Sequence, residues 1–148
     1  MTQIDEITSD VIAEAFRIHR ELGPGMLESV YEVVLNAALQ RKGYQVQRQV
    51  AVPIVYDGLQ IDVAFRIDLL VEGCLIVEIK AVETLGKVHA KQLLTYLRLM
   101  KQPVGLLLNF SGETMKEGIR RLVNDYRREC DTSALSASSA RKNLGESL

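Results

Sequence analysis

The sequence has almost no net charge, −1 over 148 residues. That excludes a chain that holds nucleic acid by bulk positive charge, so any such contact has to come from a local patch. It has only two cysteines, Cys74 and Cys130, far apart and in no metal-binding spacing. They are expected to be reduced thiols without a special role. No apolar run approaches the roughly 20 residues that a membrane-spanning helix requires. The first residues, MTQIDEITSDVIAEAF, are acidic and amphipathic, which is the wrong pattern for a secretory signal. No internal repeat is visible. These absences point to a cytoplasmic protein with no membrane association. What remains, 47% hydrophobic residues on a chain of this length, is enough for one domain with a real core.

The strongest pattern lies in residues 59–80. Leu59, Ile61, Val63, Phe65, Ile67, Leu69 and Val71 are all apolar and all at odd positions. Strict alternation predicts a strand with one buried face. After Glu72-Gly73 a second strand again places Leu75, Val77 and Ile79 at odd positions, with Cys74, Ile76, Glu78 and Lys80 between them. A two-residue turn would set odd against even and put apolar residues beside polar ones. A three-residue turn with Gly73 at positive φ would pair Leu70 with Cys74 and keep like beside like. Burial favours the three-residue turn, and that register also gathers Asp68, Glu78 and Lys80 on one face.

The rest of the chain falls into order around this hairpin. Residues 9–22 are predicted as a helix capped by Ser9 or Asp10, with His19 packed beside its apolar stripe. Gly23-Pro24-Gly25 breaks the chain, and a second helix is expected over 26–42. On it Glu28 shares a side with Tyr31 and Leu35, and lies either at the rim of that face or pointed inward. Residues 45–56 form a strand in which Pro53 requires an edge or a bulge, and Asp57-Gly58 turns it into the next strand. A helix over 87–100 carries Gln92 and Tyr96 on one face. Val104 to Phe110 is continuously apolar, as in a sheet interior, and is expected to run parallel to the strand before that helix. Residues 114–129 fit a helix or the start of a short strand. Residues 131–148 hold five serines and three alanines and little to bury, which predicts a disordered tail beyond a domain of residues 1–130.

Asp68 followed after nine residues by Glu78-Ile79-Lys80 resembles the PD-(D/E)XK nuclease superfamily, which carries an acid on one strand and (D/E)-x-K on the next. Within it, Gly25-Met26-Leu27-Glu28-Ser29-Val30-Tyr31 is similar to the signature of the GxxExxY family. The stretches Leu22–Gly25, Arg66–Val71, Val77–Ala81 and Leu107–Phe110 are also similar, so the resemblance covers roughly residues 10–125. An isolated (D/E)-x-K occurs by chance in most proteins, whereas several motifs in order and correctly spaced are specific. The resemblance implies an α/β fold with a restriction-endonuclease-like αβββαβ core, its mixed sheet flanked by helices.

The implied activity is metal-dependent hydrolysis of nucleic-acid phosphodiesters, with DNA as the expected substrate. Mg²⁺ or Mn²⁺ would be held by Asp68 and Glu78, by the backbone carbonyl of Ile79, and by Glu28 directly or through water, because hard cations prefer oxygen ligands and keep several waters. Lys80, beside two carboxylates, favours its ammonium form and makes a poor base. It is assigned to orienting the attacking water and offsetting phosphoryl charge. Gln92 resembles a glutamine that follows the core motif in some branches, with Tyr96 in support. Arg66, Lys87, Lys91, Lys116, Arg120 and Arg121 are candidate phosphate contacts. An enzyme of this size is expected to draw specificity from a homodimer or a protein partner. The rival is a catalytically idle module that binds nucleic acid or a protein through the same fold. The plainer alternative makes Asp68, Glu78 and Lys80 surface ion pairs on an open sheet face; a further one is a structural dimer in which the open face is an interface.

Overall fold

A computed structural model describes residues 3–124. The elements are α1 (Gln3–Leu22), α2 (Glu28–Arg41), β1 (Val46–Tyr56), β2 (Leu59–Val71), β3 (Leu75–Lys80), α3 (Lys87–Met100), β4 (Val104–Asn109), a 3₁₀ turn (Lys116–Gly118) and β5 (Ile119–Val123). The strands form one mixed sheet in sequence order. β1, β2 and β3 are an antiparallel meander, β4 returns parallel to β3 across α3, and β5 runs antiparallel to β4. The expected core is therefore present, with a second N-terminal helix and a fifth strand added. Residues 114–124 resolve as the 3₁₀ turn and a strand rather than a helix. The expected tail, 131–148, lies outside the described residues.

The helices divide between the two faces of the sheet. Ile7, Val11, Ala15 and Ile18 of α1 and Tyr31, Leu35 and Leu39 of α2 pack on Leu69, Val71, Leu75, Val77 and Ile79 of β2 and β3 and on Leu106 and Leu108 of β4. Ile67, expected on this face with the other odd residues of β2, lies on the opposite one because the strand changes face at Asp68. Leu93, Tyr96 and Leu97 of α3 cover the other face, with Leu70, Ile76 and Leu107. β3 and β4 are thus buried on both sides, which is why they are apolar almost throughout. It also means that the even-numbered face is no open surface: α3 roofs it.

α1 begins at Gln3 rather than near residue 9, because Ile4 and Ile7 extend the stripe of Val11, Ala15 and Ile18 by two more turns. Asp10 is therefore mid-helix, where it accepts a hydrogen bond from the Tyr44 hydroxyl instead of capping. The β2–β3 turn keeps the expected parity one step along: Val71 pairs with Leu75 and Leu70 with Ile76. Its residues are Glu72, Gly73 and Cys74, and both Glu72 and Gly73 have positive φ. Cys74 is buried; Cys130 lies outside the described residues.

The long hairpin β1–β2 departs most from expectation. Its inner half lies under the helices, but the first six residues of β2 are exposed. Leu59, Ile61 and Val63 extend beyond the layer that was expected to bury them, as does Tyr56, which is 75% exposed. Pro53 sits where predicted, at a register shift between Val52 and Ile54.

Candidate functional site

The β2–β3 ladder stops at the pair Leu69–Val77, and the next opposing residues are Asp68 and Glu78. There the backbones part and the two side chains take over the pairing. Asp68 Oδ2 accepts the Ile79 N–H at 2.8 Å, and Glu78 Oε2 accepts the Asp68 N–H at 3.0 Å. Two buried amides that lose their carbonyl partners are thereby satisfied. The Ile79 carbonyl lies on the same edge of β3 as its N–H and faces the same gap.

α2 brings Glu28 over this gap. It is exposed at the rim, and its Oε2 accepts the Ala81 N–H at 3.0 Å, one residue beyond Lys80. Its place depends on the loop before it. The buried Tyr31 hydroxyl donates to the Gly23 carbonyl and accepts the N–H groups of Gly25 and Met26, while its ring stacks on Phe110 at 4.3 Å between centroids. The spacing of glycine, glutamate and tyrosine along 25–31 thus has a mechanical reason: the tyrosine pins the loop from which the glutamate's helix starts. At the same end of β3, from the last residue of β4, the side chain of Asn109 clasps both the N–H and the carbonyl of Val82, which fixes the chain's exit.

Burial, together with the neighbouring Asp68 charge, pushes the Glu78 carboxyl up to about 8 against the opposing pull of the Asp68 amide and Lys80. Burial also raises Asp68, which the Ile79 amide, the Gln49 side chain and Lys80 partly counter. Lys80 is half-buried and close enough to favour ionisation of both acids. Tyr96 on α3 stacks on Phe65 at 4.0 Å and is raised by burial and then by the charges of Glu78 and Asp68, while Gln92 hydrogen-bonds to it. Gln92 itself is exposed and reaches the acids by way of Tyr96.

Of the predicted site residues, the fold therefore brings Asp68, Glu78, Ile79 and Lys80 together, sets Glu28 at their edge and places Gln92 one side chain away. The basic residues are more dispersed. Lys87 and Lys91 lie on the first turns of α3, the helix that carries Gln92 and Tyr96, and Arg66 on β2, two residues before Asp68. Arg121 pairs with Asp5 of α1 at 3.3 Å, and Arg120 lines a separate cavity beside Asn109 and Glu117.

Three participants were missed. Glu32 follows Glu28 by one helical turn and is buried, with Arg48 Nε and Gln49 Nε2 bonded to its two oxygens. Gln49 Nε2 also lies 3.2 Å from Asp68 Oδ1. Leu27, Glu28, Ser29, Glu32, Gln49 and Asp68 line an open cavity of about 470 Å³. The i, i+4 spacing of the two glutamates was visible in the sequence; the backbone turn at Gln49 was not.

The donors at the parting strands are all oxygen, which suits a hard divalent cation that keeps part of its water. Among the described residues no three His, Cys, Asp or Glu side chains converge on one point; the acids that face each other are Asp68 and Glu78, and Glu28 is held off at Ala81. A family model of the PD-(D/E)XK nuclease superfamily matches residues 5–122. The chain belongs to that superfamily. The comparisons with curated proteins and with solved structures gave no significant match. Membership supports a nuclease-like function in general and the use of a divalent metal, and the mixed sheet with its three helices is consistent with the superfamily's restriction-endonuclease-like fold. Among the described residues no helix is long and apolar enough to cross a membrane.

Proposed function

We propose that this PD-(D/E)XK protein is a metal-dependent nuclease whose centre is the gap between β2 and β3. The observation that carries the reading is the opposition of Asp68 and Glu78 where their ladder ends, with Lys80 beside both. Asp68, Glu78 and the Ile79 carbonyl would hold Mg²⁺ or Mn²⁺, with Glu28 joining through water. The ion, when bound, stabilises the negative charge that builds on the phosphoryl group and lowers the pKa of nearby water. The Lys80 ammonium orients the attacking water and offsets charge on the phosphoryl oxygens as the water oxygen bonds to phosphorus, giving up a proton to solvent, and the ester oxygen departs and takes a proton from solvent. Gln92, anchored on Tyr96, hydrogen-bonds the water or a phosphate, and Lys87 and Lys91 on the same helix receive the backbone of the nucleic acid.

The rival of a catalytically idle module has one observation in its favour: among the described residues no third acid completes a ready-made cage. The two are separated by calorimetric titration of Mg²⁺ and Mn²⁺ into the wild type and the Asp68→Asn/Glu78→Gln double variant, with cleavage assays on DNA and RNA alongside. Metal binding and cleavage should both disappear in the variant. A wild type that binds neither ion leaves the idle module as the better reading.

A further inference from the structure

The residues around Gln49 break the rule of their own strand. Successive side chains of a strand point to opposite faces, yet Arg48 and Gln49 both reach the same carboxylate. Arg48 Nε donates to Glu32 Oε2 at 3.0 Å and Gln49 Nε2 to Glu32 Oε1 at 2.8 Å. The cause is a φ of +51° at Gln49, a left-handed conformation that residues other than glycine, asparagine and aspartate seldom adopt. The β1–β2 register pairs Arg48 with Leu69 and Val50 with Ile67, which sets Gln49 opposite Asp68, and its amide nitrogen lies 3.2 Å from Asp68 Oδ1. One neutral amide thus stands between two carboxylates and gives a hydrogen to each. Backbone strain held in place by surrounding bonds at a cleft is characteristic of functional positions.

The two acids differ in one respect. Glu32 is neutralised, because a guanidinium and an amide fill its oxygens. Asp68 is fixed by neutral donors, the Ile79 N–H on Oδ2 and Gln49 on Oδ1, so its carboxylate is oriented without being neutralised by them. We infer that Gln49 is a positioning residue for Asp68, and that Glu32, held by Arg48, is its anchor and not a ligand to the ion. The function of this clamp rests on the reading of Asp68 as a metal ligand, but its existence does not.

Gln49→Asn tests the clamp. Asparagine accepts the left-handed conformation more readily than glutamine but is one methylene too short to span both carboxylates, so positioning is lost while the backbone is eased. In the full-length protein without metal, the fold should stay intact, since Arg48 still holds Glu32 and the eased backbone offsets part of the lost hydrogen bond. Exchange of the Ile79 amide, which is bonded to Asp68, should quicken about tenfold while the amides of β4 stay protected. Mn²⁺ affinity should fall about tenfold or more, the usual effect of losing a group that orients a ligand. Unchanged exchange at Ile79 overturns the inference. So does exchange that rises across the whole sheet together with a fall in melting temperature, which would make Gln49 a structural tie between α2 and β1. If Gln49→Asn does not fold, Glu32→Gln gives the same readout by weakening the anchor. A wild type that binds no Mn²⁺ sinks the metal reading alone, and the amide exchange still decides the clamp.

Discussion

Raising the pH should destabilise the metal-free protein, and Glu78 should be the reason. Its carboxyl is shifted from the ordinary 4.5 to about 8, first by burial and then by Asp68. Between those values the folded protein keeps a proton that the unfolded chain has released, so the folded state is favoured in acid and stability falls as pH rises through the window. At about 1.4 kcal/mol per pH unit the loss is on the order of 3–5 kcal/mol. For a folded domain of this size that is a drop of about 10–20 °C in melting temperature. The assay is thermal unfolding from pH 5 to pH 8 in chelator, on the wild type and on Glu78→Gln. The glutamine side chain can still accept the Asp68 N–H but cannot ionise, so the variant should lose most of the slope, matching the wild type near pH 5 and exceeding it at pH 8. Saturating Mn²⁺ should flatten the wild-type curve as well. A wild type whose melting temperature is constant over this range, or a Glu78→Gln variant that keeps the full slope, would refute the reasoning.

Lys80→Ala should retain Mn²⁺ binding at alkaline pH, since both carboxylates remain, but lower the cleavage rate by about a hundredfold or more, the typical loss of a group that stabilises transition-state charge; unchanged cleavage removes its assigned role. Tyr31→Phe keeps the ring on Phe110 but deprives the Gly23 carbonyl and the Gly25 and Met26 amides of their shared partner. A cost of about 1–3 kcal/mol in urea unfolding is expected, and an unchanged midpoint would show that solvent satisfies these groups equally well.

The parts of this structure that were legible in the sequence are those set by strict periodicity or by a dedicated turn. Alternation predicted one face for every odd residue from Phe65 to Ile79, and the structure keeps it only from Leu69 on: Leu69, Val71, Val77 and Ile79 pack under α1 and α2, whereas Phe65 and Ile67 pack under α3. The positive φ of both Asp57 and Gly58 is what that dipeptide is suited to supply. The helix over 87–100 was bounded correctly because Gly86 and Pro103 bracket one amphipathic stripe. Exposure was another matter. Leu59, Ile61 and Val63 alternate in sequence as faithfully as Ile67, Leu69 and Val71, yet the face they form is exposed. Whether a helix covers that face depends on how far the helical layers reach, which no local pattern encodes. Residues 119–123 were ambiguous for a related reason: five residues are too few to separate a helical period from a strand period, and pairing with β4 decides the matter.

The site was half legible, and the missing half follows from how it is built. A ladder that continued past Leu69–Val77 would satisfy the backbone but leave Asp68 and Glu78 as two buried acids side by side. In the fold as it stands the ladder is given up at that point, and each acid takes an amide that the ladder would have used. The local rules of the sheet and the demands of the acids conflict, and the conflict is resolved by distant residues: Glu28 and Glu32 from α2, Gln49 from the edge strand and Lys80 from the end of β3. Sequence patterns identify residues that obey the rules of their element, so Glu78 and Lys80, which keep the alternation of β3, were visible by it, whereas Asp68, at which β2 changes face between Ile67 and Leu69, was visible by its spacing from Glu78-Ile79-Lys80. Gln49 was hidden because its contribution is a departure from alternation, produced by one left-handed residue inside a strand. Glu32 was hidden because a glutamate on a helix usually faces solvent, and only the arrival of Arg48 and Gln49 on one carboxylate makes its burial tolerable. Sites are where local expectation and global fold diverge. In this protein the divergence is concentrated at the one step where β2 and β3 separate, and the residues that sequence reasoning missed there, Glu32, Arg48 and Gln49, are joined by hydrogen bonds that end on Asp68.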